Sequence, residues 1–162
     1  MFYSNISLGK NVFIDPSSSF NNAKIGDNVL IGNKTTIFGS PKSILEIGDD
    51  TIIGNMTILN GFASKLTIGK RCSIGSFCHF FVDSGPTASQ KLLKKYPIIA
   101  APVTIGDDCF IGHGTTIVPG AVIGDCCIIM PNSFINCEVP SYSIYGGSPA
   151  KFIRSIEKEV NN

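Results

Sequence analysis

Two side chains in this sequence are suited by type to move a proton near neutral pH: His79 in "SFCHFFVDSGPTASQ" and His113 in "FIGHGTTI". Histidine is the residue whose unperturbed pKa falls in that range, so each must be weighed for a functional role, and His79 as a general base. His79 stands where a very regular pattern breaks off into a long stretch, whereas His113 stands inside the pattern. The six cysteines (Cys72, Cys78, Cys109, Cys126, Cys127 and Cys137) show no C-x-x-C spacing, so nothing in them argues for zinc. No metal site is expected.

The elements that must position these residues come from an internal repeat. Isoleucine or an equivalent recurs every six residues, at 25, 31 and 37, at 47, 53 and 59, at 68, 74 and 80, and then from 105 to 135. Nine of these fifteen positions are followed directly by glycine, as in "IGDNVL". A six-residue period fits neither a 3.6-residue helix nor a hairpin array; it belongs to parallel β-helices, with one short strand and one corner per repeat and three repeats per coil. Four residues after each isoleucine a second inward position follows, and away from the insertions it holds only Val, Thr, Cys, Ala or Ser. A narrow prism demands such small side chains, and the glycines are expected to permit backbone turns that larger residues resist. On this register Cys72, Cys78, Cys109 and Cys127 are compact core groups. Strand alternation between inward Cys78 and Phe80 points His79 outward.

Breaks in the period locate insertions around "GSPKS", around "NGFASK", and from about 84 to 102, the last long enough to expect a function. After Pro140 the repeat ends in "SYSIYGGSPAKFIRSIEKEV", where the spacing of Phe152, Ile153 and Ile156 predicts a short C-terminal helix capping the solenoid. The chain therefore reads as one all-β domain over 1–162, with the β-helix at about 12–140 and the cap at 141–162.

Composition narrows the partners. A formal charge of +1 and a charged fraction of 15% favour neither nucleic acid nor an anionic membrane surface. No apolar run approaches a membrane span, and the N-terminus lacks a basic start followed by an apolar stretch, so a cytoplasmic protein with reduced thiols is expected.

The isoleucine-glycine repeats, the extruded loop, "IGHGTTIVPGAVIGD" and the ending "YGGSPAKFIR" resemble the hexapeptide-repeat acyltransferases, in particular the galactoside, maltose and xenobiotic O-acetyltransferases. The resemblance runs from about Ile25 to Arg154. It implies a left-handed parallel β-helix, a homotrimer with active sites between subunits, and acetyl-CoA as donor. It also implies transfer of an acetyl group to a sugar or nucleotide-sugar hydroxyl, in the setting of surface polysaccharide biosynthesis. An acetyl-CoA-binding set follows by position: His113, Pro131, Asn136, Lys151 and Arg154. The last two, three residues apart, would share one face of the expected helix and offer cations to the CoA phosphates.

A hydroxyl attacks a thioester only when a base takes its proton. The family's base falls on Gly85 or near Thr87 in this chain, and neither can serve. His79 is therefore the candidate catalytic residue, with Asn60 and Asp83 as acceptor-binding candidates. The alternatives are N-acetylation of an amino sugar, which needs a weaker base, and a non-catalytic scaffold. The carbonic anhydrases of this fold place histidine in a similar "IGHG" context, but their third zinc histidine falls on Val118 here.

Overall fold

The structure, a computed structural model, describes residues 5–157. Each hexapeptide assigns fixed roles to its residues. In "IGDNVL", Ile25 and Val29 are buried, Leu30 faces out, and Asn28 takes a left-handed conformation with φ of 57°. Asp27 accepts the amide N–H of Lys10 from the preceding coil through Oδ1 at 2.7 Å. β-Branched residues on strand positions suit the pleated surface this requires.

Successive strands belong to different faces, and each pairs in parallel with the strand one coil away: Ile25 with Ile47, Ile31 with Ile53, Ile37 with Leu59. Among the described residues the three faces hold seven, eight and six strands. Isoleucines stack down the axis with the small residues between them, and all twelve small positions expected inside are buried. Truncating one of these isoleucines to alanine costs about 2–5 kcal/mol in cores of this kind.

Small size is only half of what the inner position needs. Thr57 donates its hydroxyl to the Gly75 carbonyl at 3.0 Å, and Cys78, stacked on it, donates its thiol to the Gly112 carbonyl at 3.3 Å. Thr35, Thr51, Cys72 and Cys109 do the same to Gly54, Gly69, Gly106 and Gly124. These donors satisfy the corner carbonyls of the next coil, which is why Thr and Cys alternate so freely there.

The glycines have a different role from the one expected. At the corners the left-handed residues include Asn28, Lys34, Asp50, Met56, Arg71, Phe77 and Asp108, joined by Gly114 and Gly120, while the glycine after each isoleucine has no positive φ. A Cβ on Gly75 would lie 2.6 Å from the His113 amide nitrogen, and one on Gly112 would lie 2.4 Å from that of Pro131. Close stacking of coils, not backbone freedom, excludes side chains there.

The faces differ outside. The seven-stranded face presents Lys24, Glu46, Thr67 and Thr104 in one column. The eight-stranded face presents Phe13, Leu30, Ile52, Ser73, Phe110 and Ile128. The six-stranded face carries Thr36, Ile58, His79, Thr116 and Phe134. All three insertions leave one edge, that between the six- and seven-stranded faces. The long one is an arm: Asp83–Ser84 and Ile99–Ala100 pair antiparallel at its base, and a helical turn at Gln90–Leu93 lies near its tip. The expected limits of 84 and 102 lie one and two residues from these boundaries.

The cap corrects the expected C-terminal helix. Ala150–Ser155 is a strand, paired antiparallel with Ser143–Gly147 through a turn containing a cis Ser148–Pro149 bond. A hairpin extends the eight-stranded face by one strand and seats Tyr145 against the core end, with Phe152 edge-on at 5.8 Å. A one-residue bulge shifts the strand register between Ile144 and Tyr145, and Phe152 and Ile153 are both exposed. Residues 158–162 of the expected cap lie outside the described residues.

Candidate active site

His79 sits on the six-stranded face between Ile58 and Thr116 of the neighbouring coils, part-exposed, above buried Cys78 and Phe80. Its ring stacks on Phe81 with centroids 6.0 Å apart and planes 23° from parallel. Among the described residues no hydrogen bond engages either ring nitrogen, which leaves one nitrogen of the neutral imidazole able to accept a proton.

Asn60 and Asp83 lie beside it, joined to each other. Asn60 is in register with Phe81, its Nδ2 donates to Asp83 Oδ1 at 3.4 Å, and its Oδ1 accepts the Phe62 amide at 3.0 Å. Asn60 thus braces the short insertion and the arm against each other. No hydrogen bond links Asp83 to His79 among the described residues.

A cavity of about 320 Å³ opens at the base of the arm, lined by Phe81, Asp83, Ser84, Gly85, Thr87 and Val118. Gly85 and Thr87, the positions that correspond to the family's base, form part of its wall. The one titratable group in that lining is Asp83, while His79 stands next to it, stacked on the lining residue Phe81. Phe81 is the residue that sequence reasoning passed over, although it follows His79 at the two-residue spacing of one strand face.

His113 occupies a structural position as well as an exposed one. Its Nδ1 accepts the Ser76 amide at 2.8 Å, the same corner bond that Asn55 Oδ1 makes to Asn33 and Asp107 Oδ1 to Lys70. The neutral ring must therefore carry its proton on Nε2, directed away from the coil. Pro131 stacks directly beyond it on the same edge, behind Gly112. Asn136 stands on the other edge of the six-stranded face, in the column of Asn60, Phe81 and Val118.

Lys151 and Arg154 are exposed, but not on a helix. In a regular strand a separation of three would set them on opposite sides. The bulge removes that difference: Lys151 is paired with Gly146 and Arg154 with Ile144, two residues apart on one side of the hairpin. The five candidate donor-binding residues therefore form a band across two faces and two edges of a single chain. Among the described residues no group of three His, Cys, Asp or Glu side chains is placed to hold a metal ion.

The family described as "Bacterial transferase hexapeptide (six repeats)" matches residues 5–39 and 102–137. A probable macrolide acetyltransferase of Lysinibacillus sphaericus is 35% identical over 108 residues, covering 56% of this chain and 59% of that protein. A hexapeptide-repeat acetyltransferase from Vibrio cholerae, complexed with acetyl coenzyme A, superposes with a TM-score of 0.68 at 25% identity over 93% of this chain and 70% of that one. AntD, an N-acyltransferase from Bacillus cereus solved with dTDP and coenzyme A, superposes at 0.81 over 93% and 84% with 23% identity, a likeness of fold. The matched repeats and the superposition give this chain the left-handed parallel β-helix fold of hexapeptide-repeat proteins. The chain spans 59%, 52% and 50% of the length of the first three curated relatives it matches, about half.

Proposed function

We propose that this protein transfers an acetyl group from acetyl-CoA to a sugar or nucleotide sugar. The observation that carries the reading is a cavity at the base of the extruded arm, beside His79, on a β-helix of the acetyltransferase family. Two solved structures of like fold hold acetyl-CoA or CoA, and one of them also holds dTDP.

For a hydroxyl acceptor, His79 is the base. A free ring nitrogen takes the hydroxyl proton as the oxygen attacks the thioester carbonyl. The oxyanion collapses with loss of the CoA thiolate, which recovers the proton from the imidazolium. Lys151 and Arg154 hold CoA phosphates, and Nε2–H of His113 is a donor toward the bound thioester arm. Pro131 and Asn136 flank that arm.

A second reading, N-acetylation of an amino sugar, is favoured by one feature. The cavity wall carries the carboxylate of Asp83 but no base at Gly85 or Thr87, where the resemblance expects histidine, and such a carboxylate suits an acceptor amine. An amine with a pKa of about 8 is partly unprotonated at neutral pH and needs no strong base.

The donor band is dispersed over one chain, which supports a site completed by self-association, as a homotrimer. The apolar column on the eight-stranded face and the exposed Leu92, Tyr96, Ile98 and Ile99 of the arm are surfaces a neighbouring copy would cover. Supply of acetyl-CoA sets the reaction in the cytoplasm, and acetylated sugars of surface polysaccharide are the products we favour.

Thiol release from acetyl-CoA, followed with panels of hydroxyl and amino sugars, tests the reading. His79→Ala is expected to lower turnover of hydroxyl acceptors about 10²- to 10⁴-fold. Full activity of His79→Ala on the best acceptor across neutral pH overturns its assignment. No thermal stabilisation by millimolar CoA would count against every acyltransferase reading.

A further inference from the structure

The edge that bears the arm also bears a second cleft, of about 600 Å³, between the insertions at 40–43 and 61–65. Phe62 presents a ring that is 61% exposed although it lies within a folded, hydrogen-bonded turn. Lys42 makes no ion pair among the described residues. Lys65 donates to the Ile44 carbonyl and to Glu46, at 2.7 and 2.6 Å, which leaves one of its three N–H groups. Ser43 contributes a hydroxyl that is shielded from solvent and has no hydrogen-bond partner, a deficit that a turn about χ1 into the cleft can relieve. No carboxylate lines the recess.

An aromatic platform, the ammonium of Lys42, the remaining N–H of Glu46-paired Lys65 and an unsatisfied hydroxyl select a ligand that is planar at one end and anionic at the other. We infer that this cleft binds the nucleoside diphosphate of an activated sugar acceptor, with the base on Phe62 and the phosphates on Lys42 and Lys65. A free sugar offers neither the plane nor the charge. CoA offers both, but Lys151 and Arg154 stand at the far end of the solenoid, on the closing hairpin.

The position of the cleft relative to His79 gives it a use. Asn60 accepts the Phe62 amide, Asn60 is in register with Phe81, and Phe81 stacks on His79. One strand spacing of about 4.8 Å separates Asn60 from Phe81. A diphosphate anchored at Lys42 and Lys65 can therefore lay its sugar across Asn60 toward the cavity at the base of the arm. The inference rests on the acetyltransferase reading for what happens to that sugar, not for the binding itself.

Calorimetric titration of the full chain, first saturated with CoA, with UDP, dTDP and GDP tests it. Saturable binding of at least one nucleotide is expected with CoA in place. Lys42→Ala and Phe62→Ala should each weaken it about tenfold, through a lost charged contact and a lost stacking contact, with CoA affinity unchanged within about twofold. Both positions are exposed loop residues, so folding is not at stake. Absence of nucleotide binding at millimolar concentration, displacement of the nucleotide by CoA, or unchanged affinity in both variants overturns the inference. If sugars are acetylated while no nucleotide binds, this cleft alone is misassigned. If nucleotide binds while CoA does not, the acetyltransferase reading fails and the cleft stands.

Discussion

Nδ1 of His113 accepts the amide N–H of Ser76, one coil away, at 2.8 Å. In the equivalent corners Asp, Asn or Ser supplies the acceptor, as Ser76 Oγ does for Asn55 at 3.1 Å. One histidine thus closes a corner of the solenoid with one nitrogen and presents N–H to the surface with the other. His113→Asn should keep the corner bond and stability within about 0.5 kcal/mol, while His113→Ala should lose about 1 kcal/mol. Urea midpoints at constant slope report the difference. Both variants should weaken CoA binding. Equal loss of stability in the two would show that the corner bond contributes nothing.

The cysteines divide by burial. Cys72, Cys78, Cys109 and Cys127 are buried, whereas Cys126 and Cys137 are partly exposed. Burial pushes the Cys78 thiol up, and neighbouring Cys127 and Cys72, followed by burial, keep Cys109 protonated. A thiol reagent should label at most two cysteines in the native protein and all six in denaturant. Cys78→Thr, which copies Thr57 one coil earlier, should be tolerated. Cys78→Ala should cost about 1–2 kcal/mol, because the Gly112 carbonyl loses its donor. Rapid native labelling of four or more thiols would contradict the register.

Acid should weaken the fold through carboxylates that hold cations of a neighbouring coil. Hydrogen bonds from Arg71 hold the Asp108 carboxyl below its usual range, and those from Lys70 and Lys65 do the same for Asp49 and Glu46. A depressed native pKa means that the unfolded chain binds more protons as pH falls. The contribution is therefore fully present above about pH 5 and disappears as pH falls through the native values. The ion-pair partners are 37–52% exposed, so salt should diminish the effect. Melting temperature against pH for the wild type and Arg71→Gln provides the check: the variant curve should be flatter below about pH 5. Parallel curves would remove Asp108 from the account.

The apolar column of the eight-stranded face should be an interface between copies. Leu30 and Phe110 are 44% and 40% exposed in the isolated chain, in one line with Phe13 and Ile52. Leu30→Asp and Phe110→Asp should yield folded monomers by light scattering and circular dichroism, with acetyl transfer lost in parallel. A mass three times that of the chain in both variants would move the interface elsewhere.

The six-residue period was enough to set the register of the whole interior, because only one winding lets every isoleucine and every small residue point inward together. That register also brought His79 outward and assigned four cysteines to the core. It did not distinguish the two cap conformations, since Phe152, Ile153 and Ile156 satisfy a helical spacing and a bulged strand equally well. Lys151 and Arg154 share a side in both cases, but for unrelated reasons.

Contacts between coils lie beyond what a single repeat can specify. The inner Thr and Cys were legible as small, yet their role as donors to the next coil's carbonyls depends on residues as distant as Cys78 and Gly112. The same holds for the glycines, whose missing Cβ matters only when Gly75 meets His113. Sequence period alone determined the solenoid and its inward faces, because hydrophobic burial repeats with the chain. Tertiary structure alone decided that all insertions share one edge and that Phe81 joins His79 to a cavity. It also decided that Phe62, Lys42 and Ser43 frame a second cleft, because each of these relationships joins residues a full coil or more apart.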